Sequence, residues 1–223
     1  MPDTLTPPPP KTRAEDRETP PGAAHGLPDG ARMRRAEYHR LYERTPPGFR
    51  AELVGGVVRV RKQEPVTISE PHATFQKWAS AWLWEYEKRT PGVESLCPVT
   101  LELDDGAEPE PDALLRRRPP AGPPELIAEV AVSSLGDDLG AKFDDYEAAG
   151  VAEYVVFDVR GRRVRWFARG DAGSYTELAP DPADGLLKSG VFPGLWLDPA
   201  AFYDEDAAGV ERAVAAGVAA RAV

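Results

Sequence analysis

Apolar residues change their period several times along the chain, and each change marks an element. RRAEYHRLYER, residues 34–44, has a short helical pattern that Pro46-Pro47 ends. AELVGGVVRVR, from Ala51, reads as two alternating runs around Gly55-Gly56, which predicts a hairpin. Residues 69–89 predict a long helix. Ser69 is placed to cap it, Pro71 suits its first turn, and Phe75, Trp78, Trp82 and Tyr86 recur at spacings of three and four, which makes one apolar face. CPVTLEL (97–103) predicts a strand, and Asp104-Asp105-Gly106 a turn. EPEPDALLRRR (108–118) and PPELIAEVAV (123–132) predict two further strands, and residues 137–149 a second helix that stops at Gly150. EYVVFDV, RVRWFAR and SYTEL follow as strands with polar turns between them. The last stretch, DPAAFYDEDAAGVERAVAAGVAARAV, is alanine-rich and helical in pattern, weakened by Gly209 and Gly217. Strands clustered before and after the helices predict a mixed sheet of the α/β or α+β class.

Composition sets the limits of the domain. A chain of 223 residues, 42% hydrophobic and 29% charged, can build one domain with a full core. Residues 1–31 are rich in proline and charge and poor in large apolar side chains, so a disordered leader is expected there. The expected division is this leader, a domain over 32–203, and a helical tail over 204–223. No apolar run approaches the roughly 18 residues needed to span a bilayer. The N-terminus lacks an apolar signal core, which predicts a cytoplasmic protein that does not meet the membrane. The single cysteine, Cys97, excludes an internal disulfide and a cysteine-based metal cage, and is expected to be a buried strand residue. A net charge of −10 argues against gripping nucleic acid with the whole surface, while leaving room for a local basic groove.

Two carboxylates stand out against this pattern. Glu129 is the only charge in LIAEVAV, a run apolar on both parities, as in a strand covered on both faces. A lone buried carboxylate is costly unless paired or bound to a metal. The structural alternative is a strand-end glutamate that reaches water or a salt bridge. Asp112 follows Pro111 at the mouth of the preceding strand, where a strand-initiating aspartate is the simpler reading. Lys142 shifts the balance. It lies three residues after Leu139 and four before Tyr146, at the edge of the inward stripe Leu139, Phe143, Tyr146. Either it snorkels to water or it leans inward to an anionic partner, with Glu129 and Asp112 within plausible reach. Two acids and a lysine suit metal-assisted hydrolysis. Carboxylate oxygens favour Mg²⁺ or Mn²⁺, and the lysine can position or help deprotonate a water and offset developing charge.

The order ELVGG, a helix bearing SEPH, then PD, ELIAEV, DLGAKFDDYEAAGVAEYVVFD and VFPGLWLD resembles the Uma-two family of restriction-endonuclease-like proteins, within the PD-(D/E)xK nuclease superfamily. The resemblance covers roughly residues 35–203, and DLGAKFDDYEAAGVAEYVVFD is its most specific part. It implies a restriction-endonuclease-like core, a curved mixed sheet flanked by helices with the site at one sheet edge. It also implies Mg²⁺-dependent (or Mn²⁺-dependent) endonuclease hydrolysis of phosphodiester bonds in nucleic acid, DNA first. By this resemblance Asp112 is the metal-binding aspartate of PD and Glu129 the second acid. The same resemblance implies that the Val130 carbonyl joins the metal shell. Ala131 stands at the usual lysine position, and Lys142 matches the lysine that this family carries on the following helix. Glu52, in ELVGG, matches an acid that serves as auxiliary ligand or water-positioning base, with an ordinary strand glutamate as the alternative. Val57 stands where many members carry a second acid.

Other features point less sharply. His72 is a candidate contact to substrate, or a helix-terminal histidine bonded locally. Arg116, Arg117 and Arg118, and Arg160, Arg162, Arg163 and Arg165, form basic runs that are more simply solvated charge. Trp78 and Trp82 read as core, and Trp84 as exposed or at an interface. The competing function is a non-catalytic module that keeps the nuclease fold and binds nucleic acid or protein. A third arrangement is a closed two-fold homodimer that completes a nucleic-acid groove.

Overall fold

The computed structural model describes residues 21–61 and 69–221. Its centre is a six-stranded sheet in the order β3 (Val93–Leu96), β4 (Ala113–Arg117), β5 (Leu126–Ala131), β6 (Glu153–Asp158), β7 (Arg163–Arg169), β8 (Tyr175–Glu177). Only β5 and β6 run parallel. Their crossover carries α3 (Leu135–Asp138) and α4 (Ala141–Ala148), as a parallel pair requires. Every residue of β5 is buried, in line with its apolar pattern on both parities.

The alternation of β5 and β6 divides the core in two. Ala128, Val130, Val155 and Phe157 pack beneath α2 (Glu70–Glu87), α5 (Pro199–Tyr203) and α6 (Ala207–Ala220). Ile127, Ala131, Tyr154 and Val156 face Tyr146 and Phe143 of α4. Glu129 shares the parity of Ile127 and Ala131, so it faces α4. A third cluster joins α1 (Arg35–Tyr42) to the hairpin β1 (Ala51–Val54) and β2 (Val57–Val60). Gly55 and Gly56 turn that hairpin at φ 58° and 70°, the left-handed values a type I′ turn needs. A two-stranded ribbon, β9 (Leu187–Lys188) and β10 (Trp196–Leu197), lies outside the main sheet.

The long helix forms as its spacing predicts. Ser69 accepts from the His72 amide, Pro71 sits in the first turn, Trp82 and Tyr86 are buried, and Trp84 is half exposed. Three expectations need correction, on the 97–103 strand, on Cys97 and on the second helix. CPVTLEL is not a strand: Val99, Leu101 and Leu103 do pack on the α4-side core, and the Leu101 and Leu103 amides donate to the Pro109 and Ala107 carbonyls, but Pro109 has no N–H to return the bond and no ladder closes. The strand there is β3, just upstream, and Cys97 is exposed. The helix expected over 137–149 is two pieces, because the chain leaves helical geometry at Gly140, where a Cβ would lie 2.7 Å from the Gly136 carbonyl oxygen. The expected leader falls in two parts. Residues 1–20 lie outside the described residues, whereas residues 21–31 carry a short 3-10 turn, Ala23–His25, and seat Leu27 in the third cluster.

The C-terminal helix packs on the main core. Val210 and Val214 of α6 belong to the main core. Gly217 lets α6 approach closely: a Cβ there would stand 2.4 Å from the Gly194 carbonyl oxygen and 2.7 Å from the Trp196 ring. Both neighbours are fixed, so Gly217→Ala must displace the helix. A loss of about 1–3 kcal/mol in unfolding free energy is expected by urea titration, the usual cost of overpacking. A separate tail would lose nothing.

Asp145 links α4 to the hairpin, its Oδ2 accepting from the Gly55 amide at 2.7 Å. Burial, with help from Asp104 and Asp144, raises its pKa from 3.8 to about 6. The folded state therefore holds this proton more tightly than the unfolded chain. Stability falls as pH rises from about 4 through 6, and the full cost is present at pH 7. Asp145→Asn keeps the acceptor and removes the charge. It is expected to stabilise the protein by about 1–2 kcal/mol at pH 7, after allowance for the half-buried position, and to give nothing below pH 4. Thermal melts at the two pH values check this.

Candidate metal centre and active site

The end of β4 creates the site. Ala113 pairs with Ala128, so Asp112 falls opposite Glu129. Pro111 precedes it and cannot donate to a ladder, so the main-chain pairing stops there. The Val130 amide, left without a strand partner, donates to Asp112 Oδ2 at 2.8 Å. In an extended strand, the N–H and C=O of one residue point to the same side, so the Val130 carbonyl also faces away from β6, towards Asp112. Gln76 of α2 donates to Asp112 Oδ1 at 3.0 Å, and His72 Nε2 lies 3.4 Å from Oδ2.

Glu129 is held from the other face. Its Oε1 accepts from Lys142 Nζ and from the Tyr146 hydroxyl, both at 2.8 Å. Lys142 also lies 3.5 Å from Glu52 Oε2 and 3.8 Å from Asp138 Oδ1. Glu52, on β1, is paired with Arg61 just after β2. Asp138 is fixed by the Ser134 hydroxyl at 2.6 Å, and its carbonyl accepts from Tyr154. The side chains are recessed: Glu129 is 4% exposed, Glu52 8%, Lys142 11% and Asp112 12%. They line a pocket of about 350 Å³ that opens between the hairpin, the first turn of α2 and residues 133–138.

Charge in this pocket is unbalanced. Glu52, Asp112, Glu129, Asp137 and Asp138 face three permanent cations, Lys142, Arg59 and Arg61. Burial, with Asp112, Asp138 and Glu52 nearby, pushes the Glu129 carboxyl up to about 8 against the pull of Lys142. Burial also raises Asp138. Burial opposes the Lys142 ammonium, but Glu129, Glu52 and Asp138 outweigh it and hold the lysine charged. The hydrogen bond to Asp112 raises His72 above the ordinary imidazole value.

This donor set fits a hard divalent cation. Asp112, Glu129 and the Val130 carbonyl offer oxygen only, and a bound cation would relieve the crowding of carboxylates that helps to lift Glu129. Among the described residues no three His, Cys, Asp or Glu side chains are gathered into a cage.

The structure thus brings Asp112, Glu129, Lys142, Glu52, Val130 and His72 to one pocket. It lies at the ends of the central strands β4 and β5, not along an outer strand of the sheet, which corrects the expected edge position. Glu52 meets Arg61 and Lys142. Gln76, Tyr146, Asp138 and Arg61 were not anticipated. Asp138, four residues before Lys142, carried a readable helical-pair signal; Gln76 carried none. The basic runs do not join the pocket: Arg116 and Arg118 pair with Glu94, Arg117 with Glu125, and Arg163 and Arg165 with Glu177.

Comparison with known proteins bears on the chain as a whole. The Uma2 family, described as "Putative restriction endonuclease", matches residues 35–200. Solved structures match as well, among them one described as a putative nuclease from Anabaena variabilis. It is 11% identical, covers 74% of this chain and 96% of its own, with a TM-score of 0.55, a likeness of fold. No curated protein matches the chain. Among the described residues no helix is long and apolar enough to cross a membrane.

Proposed function

Because this chain belongs to the Uma2 family of restriction-endonuclease-like proteins, we propose that it is a metal-dependent nuclease that hydrolyses phosphodiester bonds in nucleic acid at the Asp112–Glu129–Lys142 pocket. The observation that carries the proposal is the convergence of Asp112 and Glu129 from two adjacent strands with a charged, buried lysine bonded to one of them. Burying these groups without a use would cost stability, since a buried ion pair seldom repays its desolvation.

Asp112, Glu129 and the Val130 carbonyl would hold Mg²⁺ or Mn²⁺. When bound, the cation polarises a phosphoryl oxygen and lowers the pKa of a water. Gln76 and the Val130 amide fix the rotamer of Asp112, so its remaining lone pairs aim into the pocket. Tyr146 and Lys142 both bind Glu129 Oε1, which leaves Oε2 to face the pocket. Held protonated by three carboxylates, Lys142 acts by charge: it stabilises negative charge developing on the phosphoryl oxygens and is not the base. Glu52 helps to hold Lys142 in place. His72, at the mouth, is the contact to a phosphate oxygen of the substrate.

Calorimetric titration of the purified protein with Mn²⁺ tests the reading. One site is expected in the wild type and none in Asp112→Asn, with cleavage of nucleic acid only where the metal binds. A wild type that binds no Mn²⁺ removes the proposal and leaves a binding module that keeps the nuclease fold.

A further inference from the structure

We infer that the substrate of this pocket is a single strand of nucleic acid, not a duplex. The inference rests on the nuclease reading above and adds its substrate class. Two observations carry it.

The first is depth. Asp112, Glu129 and Lys142 lie at the floor of a pocket walled by the hairpin β1–β2 on one side and residues 133–138 on the other. A duplex is a stiff rod, with a persistence length of about 150 base pairs. Its phosphates reach a recessed group only if the surfaces on both sides accept the rod. A lone strand has free backbone torsions. It can push one phosphodiester inward while the adjoining nucleotides splay along the walls.

The second is the supply of cations. Specific duplex binders neutralise about 6–10 phosphates. Here the chain carries a net charge of −10. Among the described residues, the basic runs at 116–118 and 160–165 are, Arg160 apart, tied to Glu94, Glu125, Asp204 and Glu177. Opening any of these pairs would leave a carboxylate facing a phosphate. At the pocket, the described cations are Arg59, Arg61 and Lys142. Arg59 is half exposed and reaches Asp137 only at 3.6 Å, so its guanidinium can turn to a phosphate at little cost. Arg61 is half exposed at its outer end but is paired with Glu52, and Lys142 is bonded to Glu129. Three contacts are therefore the most these groups supply, enough for the short stretch of backbone that a single strand lays across the mouth.

The two classes differ in their response to salt. With three contacts on a single strand, the logarithm of affinity should fall with the logarithm of salt at a slope near −2. A duplex groove with six contacts would give about −5. The experiment measures fluorescence anisotropy of a labelled DNA strand and of its blunt-ended duplex on the full chain. Ca²⁺ is present to fill the oxygen site, and salt runs from about 50 to 200 mM. The strand is expected to bind at least about tenfold more tightly than the duplex, with the shallow slope. Arg59→Ala should make that slope shallower by about 0.7. Cleavage in Mn²⁺ should show the same preference.

Equal or tighter binding of the duplex, or a slope near −5, overturns the inference, including the case in which two chains together supply the missing cations. Failure to bind either DNA also overturns it. Calorimetry with Mn²⁺ then shows how far the failure extends. If Mn²⁺ binds, only the substrate class falls. If it does not, the nuclease reading falls with it.

Discussion

Replacing Asp112 is expected to remove Mn²⁺ binding and to slow phosphodiester cleavage by at least about 10³-fold, the scale on which loss of a key electrostatic group acts. Two substitutions separate chemistry from structure. Asp112 Oδ2 is the acceptor for the Val130 amide, and Oδ1 for Gln76. Asp112→Ala therefore orphans a buried N–H at the centre of the sheet and should cost about 1–3 kcal/mol of stability besides its effect on the metal. Asp112→Asn keeps an oxygen for the Val130 amide and removes the charge. It should melt close to the wild type and still neither bind Mn²⁺ nor cleave. Glu129→Gln should behave in the same way, because its Oε1 can still accept from Tyr146 and Lys142. If either amide variant binds Mn²⁺ with wild-type affinity, the metal is not held by this pair of strands.

Much of this arrangement was legible because strands carry information locally. Glu129 stood out as a charge in a run apolar on both parities, and β5 is indeed buried throughout. Lys142 stood at the edge of an inward stripe, and it bonds Glu129. The rest depends on how elements stack. Nothing in the spacing of α2 says that Gln76 crosses the mouth of β4; that contact exists only once the helix lies on the sheet. Tyr146 was legible as an apolar position, but its hydroxyl bond to Glu129 was not. The failure at 97–103 has another origin. Alternation reports burial on one side, which Val99, Leu101 and Leu103 do show, but a ladder also needs a partner that returns its hydrogen bonds, and Pro109 opposite Leu101 has no N–H to do so. Leu27 was hidden in the same way, one apolar residue in polar surroundings whose pocket is built by residues far along the chain. The alanine-rich tail looked separate because its glycines weaken a free helix, whereas in contact with the β9–β10 ribbon Gly217 is what permits the approach.

The second large effect is expected at Lys142. Lys142→Met preserves the length of the side chain and removes its charge. Glu129 then loses its cation within hydrogen-bond distance, Glu52 keeps Arg61, and Asp138 keeps Ser134. Removing one partner of a buried pair costs about 3–5 kcal/mol when the other charge cannot escape. Glu129 can escape in part by taking up a proton, so a loss of about 2–3 kcal/mol is expected in urea. The origin of that loss is testable by a double-mutant cycle. If it comes from a stranded carboxylate, adding Glu129→Gln to Lys142→Met should restore about 1–2 kcal/mol, because the second change removes the charge that the first left unpaired. If it comes from lost packing, the double variant should be less stable than either single one. Activity separates the roles further. A lysine that acts by charge on the transition state is no ligand, so Lys142→Met should bind Mn²⁺ at least as tightly as the wild type, with a competing cation gone. Cleavage by the same variant should fall by about 10²–10³-fold. Loss of Mn²⁺ binding in a folded Lys142→Met protein would instead mean that the lysine serves mainly to hold Glu129 in position for the metal, and the charge needed at the phosphorus would have to come from Arg61 or His72 at the pocket mouth.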